Sequence, residues 1–301
     1  MLPQSCQYAN LFDTIRSVGP VCDLLQHGAV QGNGCASRPP CGCEGCRRGR
    51  SHRGSSDRCV ERISVSPNYQ IGRGPYVPSL TPFAIKLETY LRLEGIPYEV
   101  VHSWSRRSTR TGKVPFLEYN GEEIPDSEFI LEFLSKEKNF DMHKGLTKEQ
   151  IGVGKAFQRM AEEKTYWCFV ADRWVLDETN GIWKSFNVSP FLARLMKRGT
   201  RKRLYNNGIL RHTPEEIRHI MSEDLKALSY YLGSKKFLFG DKACKFDCAI
   251  FGILAEIRWA SFGGFGTSVI KEYPNLCDYC ERMKDTFWPD WDNYKERDGT
   301  K

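Results

Sequence analysis

The local structure signals between residues 76 and 140 constrain this chain more than any other feature. Thr81-Pro82 is typical of a helix N-cap followed by proline at the first helical position. Tyr98 to His102 is predicted as a strand, and Asn120-Gly121 lies between two further predicted strands, Pro115 to Tyr119 and Glu122 to Pro125, and indicates a β-hairpin. Asp126-Ser127 then opens a second helix. The order helix, strand, hairpin, helix predicts a small α/β domain, which we place at residues 71–140.

Helical signals dominate the remainder of the sequence. Thr147 with Gln150, and Thr213 with Glu216, have the spacing of capping boxes. After the second box, large apolar residues recur at helical spacing and form one stripe: Ile217, Met221, Leu225, Leu228 and Leu232. We therefore expect an all-α domain at residues 146–292, followed by a tail at 293–301.

The first 70 residues have a different composition. Glycine, serine, proline, arginine and cysteine dominate from Gly28 to Cys59 without periodicity, which predicts a flexible leader over residues 1–70. Its cysteines include a cluster whose thiolates could bind zinc or copper(I): Cys35, Cys41, Cys43 and Cys46. The spacing is not a recognised pair of knuckles and no histidine pair completes it, so an unstructured leader is favoured and no metal is expected.

Cysteine usage and apolar run length bear on the compartment. Seven of the twelve cysteines lie at or before Cys59, and the other five are scattered among helical patterns. That distribution is more typical of a reducing compartment than of a secreted disulfide framework, so we expect a cytoplasmic protein. The longest dense apolar run, Cys248 to Ala255, is far shorter than the roughly 18 residues of a membrane span. No integral membrane segment is expected.

The net charge of +7 arises from one segment. Between Arg194 and Arg211 there are seven basic residues and no acidic residue. One interpretation is a nucleic-acid or anionic-membrane patch formed by Lys197, Arg198, Arg201, Lys202 and Arg203. The other, which the lack of an interleaved aromatic platform favours, is a solvated helix end or loop.

Three features indicate where chemistry could occur. The hydroxyls of Ser79 and Thr81 lie at a helix N-terminus, where backbone N–H groups and the helix dipole favour an anion such as a thiolate. A cis bond at Val114-Pro115 would expose the backbone of Val114 to a ligand. Asp126-Ser127 opens a helix whose first N–H groups could hold a carboxylate.

The chain resembles the glutathione transferase superfamily and, more specifically, the failed axon connections family, which is related to the metaxins. The resemblance covers residues 76–291, and it is specific as a set because both halves agree in order. The residues that carry it are Val77 to Phe83, Lys86 to Arg92, Gly112 to Gly121, Asp126-Ser127, Leu232-Gly233, Lys235-Lys236, Phe246 to Cys248, Phe251-Gly252, Leu276 and Tyr279 to Arg282.

The resemblance implies a thioredoxin-like N-terminal domain, an all-α C-terminal domain and a role for glutathione as cosubstrate. Thr81 matches the position where thiol-type relatives have a cysteine and others a serine, with Ser79 as the alternative. A hydroxyl there could lower the pKa of the glutathione sulfur but could not form a mixed disulfide. The implied reaction is thioether formation with a small electrophile, and Thr81 as a plain N-cap is the structural alternative.

The resemblance also implies the binding residues. Val114 and Pro115 match the backbone clamp for glutathione, and Asp126 and Ser127 match the pair that receives its glutamyl end. Pro115 as a turn and Ser127 as a cap are the structural alternatives. A noncatalytic interaction protein on the same fold, with a role in axon development or a metaxin-like role and with protein partners, is the alternative function. The resemblance also implies that the chain could form a homodimer.

Two departures from the family pattern predict local weakness. Where the family has an apolar first strand, Ser66 to Arg73 contains proline, asparagine and glycine, which are poor in a central strand. In the helical domain, Cys244 occupies the hydroxyl position of a capping box with Asp247. Since a thiol is a weak acceptor, we expect a weaker box there.

Overall fold

The computed structural model describes residues 65–70, 73–103 and 106–293, which all belong to one compact unit. The expectations for the flexible leader and its cysteine cluster, as far as residue 64, lie outside the described residues. So does the tail from residue 294 onward.

A four-stranded sheet forms the first layer. Its strands are β1 (Val65–Gln70), β2 (Tyr98–His102), β3 (Phe116–Tyr119) and β4 (Glu122–Pro125), in the order β2-β1-β3-β4. β1 is parallel to β2 and antiparallel to β3, and β3 and β4 form the predicted hairpin. Asn120 and Gly121 have φ values of 50° and 82°, the positive values that a two-residue hairpin turn favours.

The first strand forms despite its composition. β1 occupies a central position, with a break in its register against β2 between Val65 and Asn68. Pro67 lies within that break, where its lack of an N–H removes no regular ladder bond. The expected damage to this strand is therefore confined to an irregularity, and the sheet begins at Val65, ahead of the expected boundary at residue 71.

Two helices complete the first domain. α1 (Pro82–Leu93) buries almost its entire length because it contacts α2 (Ser127–Glu137) on one side and a helix of the second domain on another. The core between the sheet and these helices contains large aliphatic and aromatic residues: Leu87, Tyr90, Leu91, Leu117, Ile130, Leu131 and Leu134.

The second domain is all helical, as predicted. Both expected capping boxes are present, and the expected apolar stripe is buried throughout. Gly233 ends its helix with a positive φ. The helices are α3 (Lys148–Met160), α4 (Tyr166–Ala171), α5 (Gly181–Ser185), α6 (Pro190–Asn207), α7 (Pro214–Leu232), α8 (Lys245–Trp259), α9 (Gly266–Lys271) and α10 (Pro274–Phe287).

Two π-helical segments flank α4. Ala161–Thr165 joins α3 to α4, and Asp172–Leu176 follows α4, so that the helix continues from residue 148 to residue 176. π segments are rare and often mark functional sites, because the extra residue redirects side chains. Here they carry Glu162, Arg173 and Trp174, which line a cavity.

The structure places the basic segment in a helix and Cys244 at a helix N-cap. Residues 194–207 form the largely exposed C-terminal part of α6, and a short 3₁₀ turn, Ile209–Arg211, follows. Cys244 occupies the N-cap of α8 in a capping box with Asp247. The Asp247 carboxylate accepts from the Cys244 backbone N–H at 2.9 Å and from its thiol at 3.0 Å.

The two domains meet where α8 crosses α1. Gly252 makes the crossing possible, because a Cβ at that position would lie 2.4 Å from the carbonyl oxygen of Pro82 and 3.2 Å from the backbone nitrogen of Lys86. The described residues therefore form an α/β thioredoxin-like domain packed closely against an all-α domain, as predicted.

Candidate functional site

A cavity of about 580 Å³ lies at the junction of the two domains. Its size is within the range of small-molecule sites, roughly 300–1,000 Å³. Of the six residues expected to form a site, five line it: Thr81, Val114, Pro115, Asp126 and Ser127. The sixth, Ser79, is fully buried and does not line the cavity.

Thr81 lies at the N-cap of α1 but does not use its side chain as a cap. The N–H of Ala84 instead donates to the Thr81 carbonyl oxygen at 3.1 Å. The Ser79 hydroxyl bonds to the backbone, because it accepts from the N–H of Thr81 at 3.4 Å. Thr81 is 8% exposed, at the cavity wall. Its hydroxyl therefore has the position from which it could donate to an anion at the start of α1.

The Val114–Pro115 peptide bond is cis. Among the described residues, neither the N–H nor the C=O of Val114 has a backbone partner, so both remain able to pair with an extended ligand. The carbonyl oxygen of Pro115 accepts from the N–H of Asp126 at 3.3 Å, which ties this turn to the start of α2.

Asp126 and Ser127 form the first turn of α2. Asp126 has a φ of 76°, an unusual value for a residue with a Cβ, which costs about 1–3 kcal/mol and is typical of functional sites. Its carboxylate caps the helix by accepting from the N–H of Glu128 at 2.8 Å. Ser127 is 3% exposed and adjoins the cavity. The predicted clamp and the predicted pair therefore meet at one cavity.

Beneath these residues lies an ion network that sequence reasoning missed. The Glu128 carboxylate accepts from Lys86 at 2.8 Å, from Lys245 at 2.7 Å and from Lys155 at 3.0 Å. Lys86 also donates to Glu162 at 2.7 Å. Gln158 bridges the two carboxylates, with distances of 2.9 Å to Glu128 and 3.0 Å to Glu162. The network connects α1 and α2 of the first domain to α3, the first π segment and α8 of the second.

The electrostatics of the network favour the charged forms of Glu128 and Lys86. Burial alone would raise the pKa of Glu128, but Lys86 and Lys245 outweigh it and hold that pKa well below its usual range. Burial alone would lower the pKa of Lys86, but Glu162 and Glu128 raise it. The available sequence signal was Lys86 itself, a charge within the apolar helix α1. Such a charge requires a buried partner, but sequence spacing does not identify it.

The second domain supplies an aromatic and cationic wall. Trp167 and Trp174 both line the cavity, and Tyr166 packs edge-on against Phe83 of α1 with ring centroids 5.1 Å apart. Arg173 also lines the cavity and pairs with the buried Glu256. Burial, opposed by Arg173, raises the pKa of Glu256 to about 7.

The described residues contain neither a metal-ligand cluster nor a membrane-spanning helix. Within residues 65–70, 73–103 and 106–293, histidine, cysteine and carboxylate side chains form no cluster suited to a metal ion. In that same part of the chain, every helix is too short or too polar to cross a membrane.

Comparison with known families agrees with the fold. Residues 82–180 match the family described as glutathione S-transferase N-terminal domain, and residues 221–283 match the glutathione S-transferase C-terminal domain. The crystal structure of the β-etherase LigF from Sphingobium superposes with a TM-score of 0.51 at 19% identity, covering 72% of this chain and 94% of that one. The superposition supports the fold alone.

Three relatives narrow the family. The chain is 34% identical over 246 residues to failed axon connections of Drosophila melanogaster, covering 74% of this chain and 58% of that protein. It is 26% identical to the isoprene-epoxide–glutathione S-transferase of Rhodococcus sp., covering 69% and 93%, and 28% identical to human metaxin-1, covering 72% and 49%. The chain thus spans only about half the length of two of these relatives. It belongs to the failed axon connections family, a metaxin-related branch of the glutathione transferase-like superfamily.

Proposed function

We propose that this protein conjugates glutathione to a small electrophile, with the Thr81 hydroxyl stabilising the glutathione thiolate. The observation that carries the proposal is the meeting of Thr81, the cis Val114–Pro115 turn and Ser127 at one cavity. The name of one relative also supports the proposal, since that protein is an isoprene-epoxide–glutathione S-transferase.

The chemistry requires an anionic sulfur at the start of α1. The Thr81 hydroxyl donates a hydrogen bond to the sulfur, which lowers the thiol pKa from its ordinary value of about 8.5 and releases the proton to solvent. The thiolate then attacks an electrophilic carbon. A C–S bond forms while the bond to the leaving group breaks, and the leaving group takes the electron pair. With an epoxide, the leaving oxygen stays attached and takes a proton.

Binding of glutathione is assigned to the opposite side of the cavity. The free backbone groups of Val114 pair with the peptide, and the first turn of α2 at Ser127 receives the glutamyl carboxylate. The aromatic wall around Trp167 faces the second substrate. Lys155 and Arg159 also line the cavity, and their positive charges attract the remaining negative charge of glutathione.

The test compares Thr81→Val with Thr81→Ser, using glutathione and an epoxide. Thr81→Val keeps the side-chain volume and removes the hydroxyl, so kcat/KM should fall roughly 10- to 100-fold, the value of one hydrogen bond to a charged group. Its pH–rate profile should also move to higher pH. Thr81→Ser keeps the hydroxyl and should retain most of the activity.

Two results would remove this role. Unchanged turnover by Thr81→Val, with glutathione still bound in calorimetric titration, would exclude Thr81 as the stabilising group. Loss of turnover by Ser79→Ala, in a protein whose unfolding is unaltered, would transfer the role to Ser79. Because Ser79 lies behind the cavity wall, we expect Ser79→Ala to remain active.

A noncatalytic interaction protein is the second candidate. The start of α2 favours this function, because two carboxylates of the chain itself lie where the glutamyl carboxylate would bind. The Asp126 carboxylate already accepts from the N–H of Glu128, and the Glu128 side chain adjoins the cavity. Both would repel the glutamyl carboxylate. In that case a protein partner captured by the full chain should also bind Thr81→Val, and added glutathione should not release it. Release of the partner by glutathione would contradict this function.

A further inference from the structure

Helix α6 presents apolar and cationic side chains to solvent on one face. Phe191 is 82% exposed, Leu195 is 51% exposed and Tyr205 is 55% exposed. At about 100° of rotation per residue, these side chains and four exposed cations fall within an arc of about 120°. We call this set the α6 face: Phe191, Arg194, Leu195, Arg198, Arg201, Lys202 and Tyr205.

The helix geometry changes the patch that sequence spacing suggested. Lys197 and Arg203 point away from the α6 face and are only partly exposed. Lys197 donates to the carbonyl oxygen of Asp177 at 3.2 Å, and Arg203 donates to the hydroxyl of Thr200 at 3.3 Å. Burial lowers the pKa of both. Arg194 takes their place, and Tyr205 supplies an exposed aromatic residue among the cations.

The positive charge of the α6 face is uncompensated. The sequence has no acidic residue between Glu178 and Glu215. Within the described part of the chain, Arg194, Arg198, Arg201 and Lys202 make no ion pair or hydrogen bond. A cationic face that the described residues leave without counter-charges is complementary to an anionic surface.

We propose that the α6 face binds an anionic phospholipid surface, with Phe191 and Leu195 inserted among the lipids. Phe191 and Leu195 are one helical turn apart and adjoin the helix start, so they form a continuous apolar spot. Leu195 has no π-face on which a nucleotide base could stack, which argues against a nucleic-acid partner. An amphipathic helix that combines inserted apolar residues with flanking arginines is typical of peripheral membrane proteins.

Cosedimentation with vesicles tests the electrostatic part. The full chain should bind vesicles of phosphatidylcholine with phosphatidylserine, should bind pure phosphatidylcholine weakly, and should dissociate as salt rises. Arg198→Glu with Lys202→Glu should weaken binding at least about tenfold, since each basic residue near such a surface contributes roughly fivefold. The matched control, Lys242→Glu with Lys271→Glu, makes the same charge change at exposed positions elsewhere and should bind normally.

Insertion is tested separately. Phe191→Trp should be quenched by brominated phospholipids in phosphatidylserine vesicles beyond the quenching of the parent protein. Tyr230→Trp places a tryptophan at a 73% exposed position on α7 and should show no added quenching. Phe191→Ser with Leu195→Ser should weaken vesicle binding without changing thermal unfolding, because both side chains are exposed.

Three results would overturn the proposal. Equal binding to neutral and anionic vesicles would remove the electrostatic basis. Binding to RNA that depends on Arg198 and Lys202 but not on Phe191 and Leu195, without added quenching of Phe191→Trp by lipid, would assign the α6 face to nucleic acid. Self-association that Phe191→Ser abolishes, together with unimpaired vesicle binding by that variant, would assign the face to a second copy of this chain.

Discussion

Glu128 is the residue on which the geometry of the cavity most depends. It occupies the first turn of α2 and accepts from three lysines, two of which are buried. A buried ion network contributes little net stability when it is complete, but removing one member leaves uncompensated charges. Its location beneath Thr81 and Ser127 makes it a positioning element for the site.

We predict that Glu128→Gln lowers the free energy of unfolding by about 3–5 kcal/mol, because Lys86 and Lys245 lose a buried counter-charge. Urea denaturation measures this change. The control is Glu163→Gln, which removes an exposed pair with Arg159 and should cost less than about 1 kcal/mol. Equal effects of the two substitutions would contradict the structural importance of the network.

The same comparison should depend on pH. Folded Glu128 stays ionised well below its ordinary pKa of 4.5, whereas unfolded Glu128 takes up a proton as the pH falls through that value. The unfolded state then binds more protons, so the contribution of Glu128 is complete above about pH 5 and is lost below it. The stability gap between the parent and Glu128→Gln should narrow by about 1.4 kcal/mol per pH unit below 4.5. A constant gap from pH 6 to pH 3.5 would contradict the lowered pKa.

At the scale of elements, the start of α8 shows how one cap organises the second domain. Asp247 is fully buried and accepts from the Leu238 N–H at 2.8 Å and the Tyr279 hydroxyl at 3.1 Å, in addition to its bonds with Cys244. This carboxylate therefore joins α8 to the preceding turn and to α10. Cys244 is the weak member of the arrangement, because sulfur is a poor acceptor for the N–H groups of the first turn.

We predict that Cys244→Ser raises the free energy of unfolding by about 0.5–1 kcal/mol, because a hydroxyl is a better cap than a thiol. Cys280→Ser makes the same chemical change at a fully buried position of α10, and should destabilise by about 1–3 kcal/mol, because it buries a hydroxyl in place of an apolar thiol. Thermal unfolding of the two variants distinguishes them. A loss of stability in Cys244→Ser would show that its thiol contributes by packing.

At the scale of the whole molecule, the crossing of α1 and α8 brings the two domains into close contact. We predict that Gly252→Ala costs about 1–3 kcal/mol, since the added Cβ collides with backbone atoms of Pro82 and Lys86. Because Pro82 follows Thr81, glutathione affinity measured by calorimetry should fall as well. Gly199→Ala on α6 has open space around it and should stabilise by up to about 1 kcal/mol. A stabilised Gly252→Ala would contradict the tight crossing.

Local chemistry could be predicted from the sequence because neighbouring residues determine it. Capping boxes, the Asn120-Gly121 turn and the stripe of α7 each depend on residues a few positions apart, so their pattern is visible in one dimension. Thr81, Val114-Pro115 and Asp126-Ser127 were located in the same way, each as a turn or helix start. The family resemblance then supplied the expectation that they form one site.

Long-range contacts decided the rest. Nothing in the spacing of Lys86, Glu128, Lys155 and Lys245 shows that one carboxylate accepts from three lysines, because these residues come from four segments that only folding brings together. β1 forms because the sheet and its bulge accommodate residues that propensity disfavours. The α6 face exists only in the folded helix, which exposes some of the cations on one side and partly buries Lys197 and Arg203 on another. The sequence by itself thus determined the elements and their turns, whereas packing between domains decided which charges are buried, which side chains reach the cavity and which remain exposed to a partner.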